Sequence, residues 1–249
     1  MNFGNLNSGP MMNYPENTIQ YYEPRWWVND GKRKIQAGRL IQAYLPHVHL
    51  VPWSLVPEDR GEDPTDHKKV RYSMKELKLT TRRDLQTLPA AAFPLHDQEI
   101  VLAYRGKRRP ALVIYAGEDE IPPSLKKRLV KWQISPTALV IPYYGVEKTT
   151  KRAGFLKEFV ERVKTAEYPS YYWDKLPISN KEKKGSICML KHILPLGKHH
   201  NSIECTPFRL SKEALKVIYE WISWLFEGKM DPDGLLKLFR EDLLEISNI

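Results

Sequence analysis

Four cations crowd into five positions at Arg105, Lys107, Arg108 and Arg109. Fork-shaped guanidinium groups at this spacing suit phosphate oxygens, which each can grip two at a time. The flanking residues are rich in β-formers, so the cations are expected in a turn between two strands, where solubilising charge at a hairpin would look the same. A second set, Cys188, His192, His199 or His200, and Cys205, has the side-chain types of a tetrahedral zinc site. It lacks a Cys-x-x-Cys knuckle, and Cys188 falls inside a strand pattern, so no metal is expected. No glycine-rich phosphate loop occurs either, and no cofactor is implied.

The elements that must carry these residues come in two styles. Ile100 to Tyr104, Ala111 to Tyr115, Ala138 to Tyr144 and Ser186 to Leu190 read as strands. Phe155, Leu156, Phe159, Val160 and Val163 recur at helical spacing between charged residues and predict an amphipathic helix inserted among the strands. Ser211 is a helix N-cap with Gly228 as its stop, and Asp231 with Pro232 opens a last helix. Ahead of these, Met1 to Glu16 has no periodicity and reads as a mobile tail. The aromatics Tyr21, Tyr22, Trp26 and Trp27 read as an anchor strapped onto the domain. Ile35 to Leu45 suggests a helix and Val48 to Val56 an extended segment. The charge then inverts, from net −4 over Glu58 to Asp66 to net +6 over His67 to Arg83.

Length and composition set the class. The 249 residues, 42% of them hydrophobic, suffice for a stable core, and no apolar run approaches a membrane span. The start of the chain has no basic-then-apolar leader, which predicts a cytoplasmic protein whose two cysteines stay reduced. An excess of 39 Lys and Arg over 30 Asp and Glu leaves a net charge of +9, favouring an acidic partner, whether nucleic acid or protein.

Glu99-Ile-Val-Leu-Ala-Tyr, the basic turn, and Arg109-Pro110-Ala111-Leu112-Val113-Ile114 together resemble the opening hairpin of the MazF/PemK toxin family. Ala138-Leu-Val-Ile-Pro142 resembles the family's next core strand, and Ser186-Ile-Cys-Met-Leu-Lys-His-Ile193 a later one. The resemblance covers roughly residues 97 to 227. It implies an α+β fold, a small curved β-barrel with peripheral helices, plus an N-terminal extension. The expected divisions are a tail over 1–20, an extension over 21–96, the barrel over 97–227 with a helical insert at 149–166, and a C-terminal helix over 228–249. The family dimerises, cleaves single-stranded RNA without metal and is occluded by an antitoxin peptide. By position before Pro, Arg109 matches its catalytic arginine. Arg105, Lys107, Arg108, Trp132, Tyr143 and Tyr144 are then the residues to hold RNA or a protein partner.

Where the family places a Ser or Thr hydroxyl, this chain reads Pro142-Tyr143-Tyr144-Gly145. With the long N-terminal extension, that departure leads to the expectation of a toxin-related component of a prokaryotic stress or antiphage module. Such a component would sequester a protein partner, an antitoxin-like regulator or a transcription factor, and release it on a signal such as proteolysis. The alternative is an active endoribonuclease. The segment between Gly145 and Gly185 is expected to be the exposed insertion that a protease opens first.

Overall fold

In the computed structural model the described residues are 12–59, 62–63, 66, 69–78, 99–117, 122–129, 136–150, 153–178, 185–198 and 201–247. The fold is mixed α+β, built on a curled antiparallel half-barrel sheet with few helices. The chain divides into a larger unit, 1–44 with 108–249, and a smaller one, 45–107, inserted into it.

In the larger unit the sheet runs β1-β11-β2-β6-β7-β9-β8, with β10 also pairing β7. Its strands are β1 (Trp27–Asn29), β2 (Arg39–Pro46), β6 (Gly106–Tyr115), β7 (Thr137–Gly145), β8 (Tyr171–Lys175), β9 (Gly185–Met189), β10 (Leu194–Gly197) and β11 (Ile203–Leu210). β2 and β6 run on past the unit boundary at their outer ends. The smaller unit is a three-stranded sheet, β4 (Arg71–Glu76), β3 (Trp53–Asp59) and β5 (Val101–Ala103), in the order β4-β3-β5.

This topology corrects three expectations. Residues 39–45 are strand rather than helix, because β2 lies between β11 and β6, and burial on both faces suits its run of Leu40, Ile41, Ala43 and Leu45. The supposed hairpin is no hairpin: β5 pairs β3 in one sheet, whereas β6 pairs β7 in the other. The basic residues are consequently not all in a turn, since Lys107, Arg108 and Arg109 lie inside β6. Finally, the boundary expected at 96/97 falls within the smaller unit, while residues 21–44 supply two strands of the main sheet.

Helices close the larger unit. They are α1 (Pro123–Lys126), α2 (Lys157–Lys164), α3 (Lys212–Glu227) and α4 (Leu235–Ser247). Both predicted caps of α3 are in place: Ser211 Oγ accepts from the Ala214 amide at 3.0 Å, and Gly228 takes the left-handed conformation (φ 73°) that only glycine adopts cheaply. The 3.6-residue period then buries Ala214, Val217, Ile218 and Trp221. No helix among the described residues is long and apolar enough to cross a membrane.

The expected mobile tail is instead anchored from residue 12 onward, since Met12, Tyr14 and Ile19 are buried in the core and Tyr14 Oη donates to Asp174; of the N-terminal aromatics Tyr21 is exposed, while the other three are anchors. Trp26 and Trp27 are fully buried, and Trp26 Nε1 donates to Tyr172 Oη at 2.6 Å. Tyr22 stacks on Phe239 of α4 with ring centroids 5.2 Å apart. The stretch between Gly145 and Gly185 contributes to the core through part of its described length, although Thr149, Thr150 and Leu156 are exposed. Val163 of α2 and Tyr172, Trp173 and Asp174 of β8 are all buried, so it is no loose insertion; its connectors 151–152 and 179–184 lie outside the described residues.

Candidate functional site

The site grows from one strand pairing. β6 and β7 run antiparallel with Ala111 opposite Pro142, and Arg109 and Tyr144 each lie two residues further along their strands, on the same face as that pair. Directly opposed side chains on a pleated sheet share a face. The Arg109 guanidinium accordingly lies over the Tyr144 ring, 4.5 Å from its centroid, a cation–π arrangement that fixes both planes. β7 also pairs β9, and the chain after β9 turns through a short 3-10 segment, Leu190–His192. That turn brings His192 Nδ1 to 2.8 Å from Tyr144 Oη.

Burial tunes this trio. Arg109 is only 7% exposed, while Tyr144 and His192 are half-buried. Desolvation pulls the Arg109 guanidinium below its ordinary value, and the facing Tyr144 opposes that shift; an arginine stays cationic regardless. Burial pushes the Tyr144 phenol up, partly countered by Arg109. At neutral pH the site therefore holds a fixed cation, a neutral phenol and an imidazole whose orientation the phenol sets. Those are the parts needed to stabilise an anion and move a proton beside it.

The remaining expected site residues fall elsewhere. Tyr143, one step from Tyr144 and so on the other side of the strand, is 2% exposed and donates to Asp174 at 3.3 Å. It is a core residue. Asp174 is completely buried and also accepts from Tyr172 Oη at 2.7 Å, Tyr14 Oη at 3.0 Å and Trp27 Nε1 at 3.1 Å. Burial drives its carboxyl up to about 7 against the pull of those four donors. Arg108 is exposed and ion-paired with Glu204 of β11. Arg105 and Lys107 are exposed in the smaller unit, and Trp132 lies outside the described residues.

His192 is the residue that sequence reasoning missed as a partner of Tyr144. Its stretch resembles a family strand and offers only a zinc-ligand side-chain type in the sequence; the pairing that delivers it to Tyr144 is non-local. Among the described residues no three His, Cys, Asp or Glu side chains converge as metal ligands would. No family model matches this chain, and no curated protein matches it.

Proposed function

We propose that the chain is a MazF/PemK-like protein that cleaves single-stranded RNA at Arg109, Tyr144 and His192. The observation that carries the proposal is the stacked Arg109–Tyr144 pair with Tyr144 Oη held 2.8 Å from His192 Nδ1. With Nδ1–H donating to Tyr144, His192 Nε2 offers a lone pair to the 2′-hydroxyl of RNA. The 2′-oxygen attacks the adjacent phosphorus as its proton passes to Nε2. The bond from phosphorus to the 5′-oxygen breaks, and the imidazolium returns the proton to that oxygen. Arg109 carries the extra negative charge of the five-coordinate phosphorus, and Tyr144 positions both partners. This reading gives the Tyr144 hydroxyl the part that the family resemblance assigns to a Ser or Thr just after Pro142, where this chain has the buried Tyr143, and it sets cleavage ahead of the sequestration expected from sequence.

The test is single-turnover cleavage of a mixed-sequence RNA. Arg109→Ala is expected to lower the rate about 10²–10³-fold, and His192→Gln about 10²–10⁴-fold. Tyr144→Phe retains the ring under Arg109 but loses the hydroxyl, so it should shift the pH profile as well as the rate. Cutting that survives both Arg109→Ala and His192→Gln undiminished would remove the proposal.

A second reading, partner sequestration within a defence module, is favoured by the smaller unit. Register sets Trp53 beside Ala103, and Leu55 beside Met74 and Val101, on one face of the β4-β3-β5 sheet. Trp53 and Met74 are exposed on that face. Co-purification of an adjacent gene's product, lost in Trp53→Ser with Met74→Ser, is the result this reading expects. Unchanged co-purification would exclude that face.

A further inference from the structure

Successive strand residues project from opposite faces, so Arg108 leaves β6 on the side away from Arg109. There it borders a cleft of about 720 Å³ within the larger unit. The pairing of β11 with β2 sets Glu204 directly across from Gln42, and both line the cleft. A carboxylate and a primary amide therefore stand side by side on one face. Arg33 and Arg108 supply two exposed guanidinium groups at the same cleft, Arg33 reaching the Cys205 carbonyl at 3.4 Å. Phe208, Pro207 and Ile178 give it apolar walls.

We propose that this cleft binds a guanine nucleotide. Guanine presents two adjacent N–H donors beside a carbonyl acceptor, the complement of a carboxylate next to an amide N–H. Neither the uracil nor the adenine edge offers that order. A flat base fits against Phe208 and Pro207, and its phosphate meets Arg33 and Arg108. The cleft volume falls in the range of ordinary small-molecule sites. The Arg108–Glu204 ion pair does not close the site. Its side chains are 55% and 59% exposed, and pairs so exposed contribute little, so the ligand can take Arg108 through its phosphate and Glu204 through its base. An acidic peptide would use the two arginines but set its carboxylates against Glu204. A free nucleotide and a guanosine within a strand both present this guanine edge, and the contacts are the same. The proposal stands apart from cleavage, because it concerns the other face of β6.

Titration calorimetry on the full chain tests it, with GMP, AMP, CMP and UMP and with guanine-containing and guanine-free deoxyoligonucleotides, which lack the 2′-hydroxyl and report binding alone. GMP or the guanine oligomer is expected to bind at least tenfold more tightly than its counterparts. Saturation by GMP alone marks a free nucleotide as the ligand, and a preference seen only in the oligomer marks a strand. Glu204→Gln should erase the preference for guanine while phosphate-driven binding persists, and Gln42→Ala should weaken the preference. Arg108→Ala should weaken every nucleotide about tenfold. Equal affinity for all four bases, a guanine preference untouched by Glu204→Gln, or tighter binding of a poly-Glu peptide than of GMP would each overturn the proposal. Circular dichroism confirms that each variant is folded, as substitution at exposed Glu204 should allow.

Discussion

Asp174 makes the stability of the larger unit depend on pH in a direction opposite to that of most carboxylates. Burial raises its carboxyl from 3.8 to about 7, a displacement that costs the ionised form about 4 kcal/mol at about 1.4 kcal/mol per unit. Because the folded-state value lies above the unfolded one, the native chain binds the extra proton between these limits. Stability contributed by Asp174 is complete below about pH 4 and is lost as pH rises through about 7. Asp30 shifts the other way, lowered chiefly by its hydrogen bonds from Arg39. Its contribution is present above its unfolded value and fades only at more acidic pH. Urea unfolding followed by tryptophan fluorescence, from pH 4.5 to 7.5, compares wild type with Asp174→Asn. At pH 4.5 the variant should be less stable by about 1–3 kcal/mol, since the amide nitrogen accepts nothing and sets two N–H donors against the surrounding donors, whereas the protonated carboxyl carries a single O–H and still accepts through both oxygens. By pH 7.5 the gap should close or reverse, with a total change of about 3 kcal/mol over this pH range. A gap that stays constant with pH, or widens as pH rises, would refute the reasoning, because it would mean that the four donors hold the carboxylate ionised throughout.

Other consequences are simpler to read. Asp30→Ala strands the Arg39 guanidinium, which is fully buried and held by both Asp30 oxygens at 2.7 and 2.8 Å, and should cost about 3–5 kcal/mol in denaturant unfolding. Ser211→Ala removes the N-cap acceptor of α3 and should cost about 1 kcal/mol by the same assay. A thiol reagent should label Cys205 in the native chain and Cys188 only after unfolding, since Cys188 is buried and its thiol is pushed well up by desolvation, whereas Cys205 is partly exposed; mass spectrometry of labelled peptides distinguishes them.

Local patterns were legible where local physics decides them. The Ser211 cap, the apolar stripe through Trp221 and the Gly228 stop bound α3 in the sequence as they do in the fold, and the runs at Ala138 and Ser186 mark β7 and β9. What local patterns lack is partnership. Leu40, Ile41, Ala43 and Leu45 leave periodicity ambiguous between a buried helix and a central strand, and only the neighbours β11 and β6 resolve it. Likewise β5 and β6 look like a hairpin because only Tyr104 and Arg105 separate them, yet β5 pairs β3 and β6 pairs β7. Arg109 could be singled out from its place before Pro110. Tyr144 could be named, but its separation from Tyr143 into site and core follows from strand alternation, and His192 joins only through the β7–β9 pairing.

The most direct test of cleavage at Arg109, Tyr144 and His192 replaces a single 2′-hydroxyl at the cut position of an RNA by hydrogen and identifies the ends of the products. Attack by the 2′-oxygen predicts 2′,3′-cyclic phosphate and 5′-hydroxyl ends from the all-RNA strand, with no cut at the substituted position. Cutting that persists at the 2′-deoxy position, or products bearing 5′-phosphate, would contradict it.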